Sequence, residues 1–125
     1  MNVIDSSAWL EYFADAPNAG FFAAAIEATD SLVVPTVTLY EVHKRVLHQR
    51  DEAAALQATG VMLQGRVVDL TTEIALLAAR TSLALGLPIA DALILATARA
   101  RGATLWTQDA DFRGMEGVRY RAKKS

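Results

Sequence analysis

Two kinds of apolar pattern alternate along this chain. Short runs of apolar and β-branched residues predict buried strands at positions 2–5, 31–34, 66–70, 103–107 and 118–120. Segments in which apolar residues recur every three or four positions predict helices at 6–14, 19–28, 36–50, 51–63, 73–85 and 88–101. Because strands and helices alternate, the pattern predicts a parallel sheet flanked by helices.

Polar residues, glycine and proline mark the ends of several predicted helices. Ser6 and Ser7 are candidates to cap the first helix. Thr71 or Thr72 is expected to cap the fifth helix, which Gly86 ends. The sixth helix is expected to open at position 88, where proline is favoured.

Length and composition indicate a single domain over residues 1–125, with the basic segment 121–125 as a frayed tail. The 53% hydrophobic content is enough for a real core, and no repeat or low-complexity linker divides the chain. Cysteine is absent, which excludes disulfides and thiolate metal sites. The N-terminal residues lack the pattern of a signal peptide, and no unbroken run of about 20 apolar residues is present. We therefore expect a cytoplasmic protein with no membrane segment.

The charge balance limits how the protein can contact nucleic acid. A net charge of −2 and an isoelectric point near 5.6 provide no overall attraction to a polyanion. Any contact with RNA must come from local basic groups, each of which can also be an ordinary solvated charge. The candidates are Lys44, Arg45, Arg50, Arg99, Arg101, Arg113, Arg119, Arg121, Lys123 and Lys124.

Four acidic residues occupy positions where sites form in open parallel sheets. Asp5 and Asp109 come just after predicted strands. Asp91 lies in the first turn of the sixth helix, and Glu41 is expected near the start of the long third helix. Because sites in such sheets form outside the carboxyl ends of the strands, these side chains are expected to meet there.

Each acid, taken alone, also has a structural explanation. Asp5 is suited to cap a helix, and Asp91 to face the positive end of a helix dipole. Glu41 follows Thr38 by three residues, as in a capping box. The turn 108–112 favours aspartates for its own hydrogen bonds.

The surroundings of two acids favour a shared site instead. Asp91 and Glu41 are both flanked by apolar residues, where a charge requires a partner. Several carboxylates in one cleft repel one another and raise one another's pKa values unless a cation neutralises them. Oxygen ligands without histidine or cysteine indicate Mg²⁺ or Mn²⁺. The acids therefore predict a metal centre for phosphoryl-transfer chemistry, such as cutting a phosphodiester.

Taken in order, these segments resemble the PIN-domain ribonucleases, and more closely the VapC-type toxins of prokaryotic toxin–antitoxin pairs. The matching segments are Asp5-Ser-Ser, Glu41 after a Val-Val-Pro strand, Ile-Ala-Asp91-Ala-Leu-Ile and Trp-Thr107-Gln-Asp-Ala-Asp-Phe. They span nearly the whole chain. The resemblance implies a three-layer α/β/α sandwich with a central, mainly parallel sheet of four to five strands.

The resemblance also implies which residues form the site. It implies a catalytic quartet of acids that binds Mg²⁺ or Mn²⁺, consisting of Asp5, Glu41, Asp91 and Asp109. Asp111 is a further carboxylate that either adds to the metal site or shapes the turn. Ser6 and Thr107 match hydroxyl residues that support the site in the family, although capping or turn bonding explains them equally well.

The activity that the resemblance implies is metal-dependent hydrolysis of RNA that inhibits translation, with 5′-phosphate and 3′-hydroxyl products. The implied partners are a second copy of the chain, in a homodimer, and an antitoxin whose segment lies across the acidic cleft. A groove for a partner could include aromatic residues of the N-terminal helices, although core packing explains most of them. These residues are Trp9, Phe13, Phe21 and Phe22.

Other functions match less well. His43 and His48 raise the possibility of metal-independent acid–base cleavage, but both follow Glu41 on one helix beside basic residues. An aspartyl-phosphate mechanism needs a second aspartate where Ser7 stands, or adjacent acids at the end of the first strand. A catalytically silent RNA- or protein-binding module of the same fold is the alternative to the enzyme, and the intact quartet weighs against it.

Overall fold

The computed structural model describes residues 1–124, which form a five-stranded sheet between helical layers. The strands are β1 (Asn2–Ile4), β2 (Leu32–Pro35), β3 (Arg66–Val68), β4 (Thr104–Thr107) and β5 (Val118–Tyr120). The helices are α1 (Ser6–Phe13), α2 (Ala19–Glu27), α3 (Thr36–Gln49), α4 (Glu52–Met62), α5 (Thr72–Leu85) and α6 (Ile89–Ala100). The strand order is β3-β2-β1-β4-β5, and every pair is parallel. The predicted three-layer α/β/α fold is confirmed.

The two faces of β1 enter different apolar clusters. Val3 belongs to a cluster that includes Ile94 of α6. Its neighbour Ile4 points to the other face, where it belongs to a cluster with Trp9 and Phe22. Because both faces are covered, the inner strand β2 is a continuous apolar run, Leu32–Pro35, whose four residues are all buried.

Parallel pairing places the carboxyl ends of β1 and β4 side by side. Ile4 is in register with Trp106, and the Asp5 backbone N–H donates to the Trp106 carbonyl at 2.9 Å. The chain beyond Ile4 therefore leaves the sheet next to Thr107 and the segment that follows it. This edge of the sheet is where ligands bind in open parallel folds.

The helix boundaries agree with the predictions within a few residues, but the cap predicted for α1 is wrong. Ser6 and Ser7 lie inside the helix, and Asp5 is the residue that precedes it. The Asp5 side chain makes no cap hydrogen bond to α1. Asp5 instead takes the extended conformation of a cap residue while its carboxylate is directed to other partners.

The capping box considered as a structural explanation for Glu41 does not form, because Pro35 is the residue that precedes α3 and no side chain caps the helix. Thr38 lies within the first turn, where its hydroxyl donates to the Pro35 carbonyl at 2.7 Å. By contrast, α5 has the predicted ends, since the Thr71 hydroxyl accepts from Ile74 N–H at 3.2 Å. Gly86 follows α5 with φ of +68°, a conformation that glycine adopts without strain.

The predicted frayed tail begins with two tethered residues. Arg121 N–H donates to the Thr107 carbonyl at 3.1 Å, and Asn18 Nδ2 donates to the Ala122 carbonyl at 3.0 Å. Residues 121 and 122 therefore each make one backbone hydrogen bond to the rest of the domain, and fraying of the tail stays a prediction. Ser125, the last residue of the predicted tail, lies outside the described residues.

Within residues 1–124, no single helix is both long and apolar enough to cross a membrane. Among the helices of this described range, only α5 and α6 taken together reach that length and composition, and they are bent by 117° relative to each other.

Candidate metal centre

The four predicted acids come from four separate segments that meet at the carboxyl edge of the sheet. Asp5 follows β1, Asp109 lies two residues after β4, and Asp91 is the third residue of α6. Glu41 lies in the second turn of α3 rather than in its opening turn. All four line one open cavity of about 410 Å³.

Asp5 is the most deeply placed of these acids. Its side chain is 3% exposed, and Oδ2 accepts from the Ser7 hydroxyl at 2.7 Å and the Thr107 hydroxyl at 2.8 Å. Thr107 Oγ1 also accepts from the Asp109 backbone N–H at 2.9 Å. One threonine hydroxyl therefore connects the acids that follow β1 and β4.

Glu41 has a different support. The Ser6 hydroxyl donates to Glu41 Oε1 at 2.7 Å, across 35 residues of sequence. This bond joins the first turn of α1 to the second turn of α3 and sets the direction of the glutamate side chain. Ser6 thus bonds to an acid on another helix, which explains why its hydroxyl is not used as a helix cap.

Three carboxylates lie close enough together to share one cation. Asp91, Asp109 and Asp111 each offer an oxygen that lies within 4.8 Å of the other two. Asp111 is exposed, and its backbone N–H donates to Asp109 Oδ1 at 2.9 Å. Asp111 therefore shapes the turn through its backbone while its carboxylate stays within reach of the acidic cluster.

The crowding of carboxylates appears in their pKa values. Burial, then the negative charges of Asp109, Asp5 and Asp111, and last a hydrogen bond with Asp111 raise the pKa of Asp91 to about 7. Burial also raises the pKa of Asp5, although hydrogen bonds from Ser7 and Thr107 oppose this effect. Negative charge at this edge of the sheet is therefore costly unless a cation is present.

The donor set fits a hard divalent cation. Every candidate ligand atom is a carboxylate oxygen, and the ligands come from at least two rigid elements. His48 also lines the cavity, but oxygen donors dominate it. Mg²⁺ and Mn²⁺ both prefer such donors, and a cation would relieve the repulsion that raises the pKa of Asp91.

A basic and aromatic face of α3 lines the same cavity, which the sequence analysis did not identify as a unit. It consists of Tyr40, Lys44, Arg45 and His48, which we call the α3 wall. Tyr40 is 62% exposed, and Lys44 Nζ donates to its hydroxyl at 3.2 Å. The signal was the spacing of 40, 44, 45 and 48, because residues three or four apart share one helix face.

The two histidines do not form a pair in the cavity. His43 Nδ1 lies 2.7 Å from the Thr59 hydroxyl, in a hydrogen bond that joins α3 to α4. Only His48 of the two lines the acidic cavity. The geometry therefore provides no support for acid–base cleavage by His43 and His48 together.

The four aromatic residues considered for a partner groove have different surroundings. Trp9 and Phe22 are fully buried in the core. Phe21 packs against Trp106, with ring centroids 5.2 Å apart. Phe13 alone of these four lines an open groove of about 340 Å³, whose walls come from α1, α3 and α4. We call this the α1–α3–α4 groove.

Comparison with known proteins gives one family and a set of similar folds. The model of the PIN domain family matches residues 3–118. A solved toxin–antitoxin complex from Klebsiella pneumoniae is similar with a TM-score of 0.78 and 23% identity, over 94% of this chain and 95% of that chain. Among curated protein sequences, none matches the chain significantly.

Two further solved structures have the same fold. VapC20 from Mycobacterium tuberculosis, a toxin that cleaves the sarcin–ricin loop, has a TM-score of 0.75 and 18% identity, over 90% of this chain and 92% of that chain. DNA-bound VapBC from Salmonella typhimurium has a TM-score of 0.74 and 17% identity, over 97% of this chain and 96% of that chain. At these identities the similarity shows the fold alone.

Proposed function

Because this chain belongs to the PIN domain family, we propose that it is an endoribonuclease that hydrolyses RNA phosphodiester bonds with Mg²⁺ or Mn²⁺. One observation supports this more than any other. Four carboxylates from four separate segments line a single open cavity, and a cation would relieve the repulsion that Asp5 and Asp109 exert on Asp91. A purely structural role would not require acids from distant segments to face one another.

Each site residue has a role in this proposal. The residues that would hold the cation are Asp5, Glu41, Asp91 and Asp109, with Asp111 as an auxiliary ligand. When bound, the ion supplies the positive charge that activates water and stabilises the phosphate undergoing displacement. Ser6 orients the Glu41 carboxylate, and Thr107 holds Asp5 and Asp109 in one arrangement. Asp91 or Asp109 accepts the proton of the attacking water.

The α3 wall would bring a polyanion to an acidic site. Carboxylates alone repel phosphate, but Lys44 and Arg45 line the same cavity and offset that repulsion locally. Local attraction of this kind would allow RNA to bind although the net charge of the protein is −2. The overall field does not attract RNA, so the attraction is confined to the cleft where cleavage takes place.

We further propose that the enzyme is a cytoplasmic toxin, inhibited by an antitoxin, whose activity inhibits translation. The similar solved structures include toxin–antitoxin complexes. Leu10 lines both the acidic cavity and the α1–α3–α4 groove, so a partner segment seated in the groove would extend towards the acids. A basic side chain at the end of such a segment would pair with the carboxylates and mask them.

We also propose a homodimer. Leu76 and Leu83 lie seven residues apart on one face of α5 and are 58% and 90% exposed. Sedimentation of the wild type at micromolar concentration is expected to show a dimer, and Leu83→Lys is expected to shift it towards monomer. Leu63→Lys, at an exposed leucine after α4, serves as the control. A monomeric wild type would rule out this part of the proposal.

The test of the enzyme is cleavage of a labelled RNA panel with Mg²⁺, Mn²⁺ or EDTA. Wild type is compared with Asp91→Asn and with Asp69→Asn, an exposed aspartate after β3 that does not line the cavity. Cleavage that needs metal, survives in Asp69→Asn and disappears in Asp91→Asn supports the proposal. Equal cleavage by all three purified proteins would indicate a contaminating nuclease or another site.

The toxin role needs a separate test. Induced expression of wild type in a bacterial host is expected to stop incorporation of labelled methionine, whereas Asp91→Asn is not. Active cleavage in the test tube with no effect on translation would leave a nuclease that is not a toxin. If no RNA is cleaved and translation continues, the chain is better described as a silent binding module.

A further inference from the structure

We propose that the segment after β5 extends the acidic cleft into a basic track for the RNA backbone, with Arg45, Lys123 and Lys124 as its phosphate-binding residues. This inference rests on the proposed ribonuclease function. It identifies the surface along which the RNA strand would run on one side of the scissile bond.

A second cavity of about 350 Å³ lies next to the acidic one. Lys123 and Lys124 line it, and it shares Ser7, Leu10 and Arg45 with the acidic cavity. Since three residues line both cavities, the two form one continuous surface. A strand whose scissile phosphate lies at the acids would meet the second cavity on one side.

The two lysines follow a segment that is fixed in place. Arg121 N–H donates to the Thr107 carbonyl, and the Arg121 guanidinium lies 4.3 Å from the centre of the Phe21 ring. Asn18, which is fully buried, donates through Nδ2 to the Ala122 carbonyl. The chain is therefore tied down up to the residue before Lys123, which keeps both lysines beside the cleft.

The charges around the second cavity favour an anion. Arg45, Lys123 and Lys124 contribute three positive charges. The acid in this lining is Glu11, which is 6% exposed and accepts from the Asn18 backbone N–H at 2.8 Å. Glu11 therefore faces the interior, whereas the two lysines are exposed to a ligand. A nucleic acid strand carries one phosphate per nucleotide and matches such a row of cations.

The experiment measures binding of single-stranded RNA to the Lys123→Ala/Lys124→Ala variant. Fluorescent RNAs of 20 and of 4 nucleotides serve as probes, and Asp91→Asn is present in every protein to prevent cleavage. For the long RNA, loss of two phosphate contacts is expected to reduce the slope of log affinity against log salt by about 1.4. The short RNA is expected to occupy only the acidic cleft and therefore to bind as before.

The control removes two exposed cations that line neither cavity, in the variant Arg66→Ala/Arg80→Ala. It is expected to leave the slope for the long RNA unchanged. An equal loss in this control would show that total charge, not position, is responsible, and would overturn the track. An unchanged slope in the lysine variant, an equal loss for the short RNA, or no binding of the long RNA would also overturn it.

The readouts separate this inference from the proposed function. In cleavage-competent protein, the lysine variant is expected to raise KM several-fold for the long RNA while kcat stays within about twofold. If wild type fails to cleave any RNA, the proposed function is wrong, and the binding slopes still decide whether a basic track exists. If cleavage is normal and KM is unchanged, only the track is wrong.

Discussion

Carboxylates that are partly or fully buried occur in two regions of this molecule, and their neighbours differ. Glu11 accepts hydrogen bonds from the Asn18 backbone N–H at 2.8 Å and from Gln108 Nε2 at 3.2 Å. Asp91 instead lies among other carboxylates, and burial together with their charges raises its pKa to about 7. An acid surrounded by donors is satisfied within the fold, whereas acids that face one another still require positive charge.

Two consecutive residues after β4 contact these two different regions. Gln108 faces Glu11, and the next residue, Asp109, faces the acidic cleft. One short segment after β4 therefore serves a structural network on one side and the candidate metal centre on the other. Burial of an acid does not by itself indicate function, because the charge of its neighbours decides its role.

The largest expected effect comes from an amide in the acidic cleft. Asp5→Asn keeps an oxygen for the Ser7 and Thr107 hydroxyls but removes a negative charge from the cation site. We expect cleavage to fall by more than about 100-fold, since it changes a ligand rather than a supporting group. Circular dichroism should show an unchanged fold. Cleavage at the wild-type rate in this variant would show that Asp5 is not a ligand of the cation.

A smaller effect is expected from the hydroxyl that joins two of the acids. Thr107→Val keeps the shape of the side chain but removes the hydrogen bonds to Asp5 and Asp109, so Mg²⁺ or Mn²⁺ should bind about 10- to 100-fold more weakly. Isothermal titration with Mn²⁺ measures this. Thr97→Val is the control, because Thr97 is a buried threonine bonded only to a helix carbonyl. Equal metal affinity in both variants would make Thr107 a structural residue.

The same kind of amide substitution in the other region should act on stability. In Glu11→Gln, the new amide N–H₂ would face either Asn18 N–H or Gln108 Nε2, both of which are donors. We expect the free energy of unfolding to fall by about 1–3 kcal/mol. Urea denaturation measures it. Asp91→Asn, examined in EDTA, should show no such loss, and a matching loss there would end the distinction between the two regions.

The last expected effect is a pH dependence of stability. The folded-state pKa of Asp91, about 7, lies above its ordinary value of 3.8. The folded protein therefore holds this proton more tightly than the unfolded chain, so stability falls as pH rises from about 4 to about 7. In EDTA, the melting temperature of wild type should decrease relative to Asp91→Asn over this range. Saturating Mg²⁺ at pH 7 should reverse the decrease, and a parallel course for both proteins would refute the assignment.

Much of the fold follows from local pattern. The five strands and six helices were predicted at nearly their observed positions, because two-residue and 3.6-residue periods are properties of neighbouring residues. The cap of α5 was also predicted, but the cap of α1 was not. Ser6 was expected to cap α1, but its hydroxyl has a partner on α3 that local sequence does not reveal.

The acids were predicted for a related reason. Asp5 and Asp109 follow strands, and the carboxyl ends of parallel strands must share one edge of the sheet. Their supporting partners could not be predicted in the same way. The hydrogen bond from Asn18 to the Ala122 carbonyl could not be predicted either, because these residues lie 104 positions apart in sequence.

The sequence by itself determined the elements and the parallel α/β architecture, and it predicted the four acids of the candidate metal centre. Only the tertiary structure decided that Glu11 is surrounded by hydrogen-bond donors, whereas Asp91 is surrounded by other acids. It also decided that Lys123 and Lys124 line a cavity beside the acidic cleft. The physical reason is that periodicity is encoded by residues close in sequence. The electrostatic environment of a side chain instead depends on partners that strand order brings together from far apart, such as Thr107 and Asp5, separated by 102 residues.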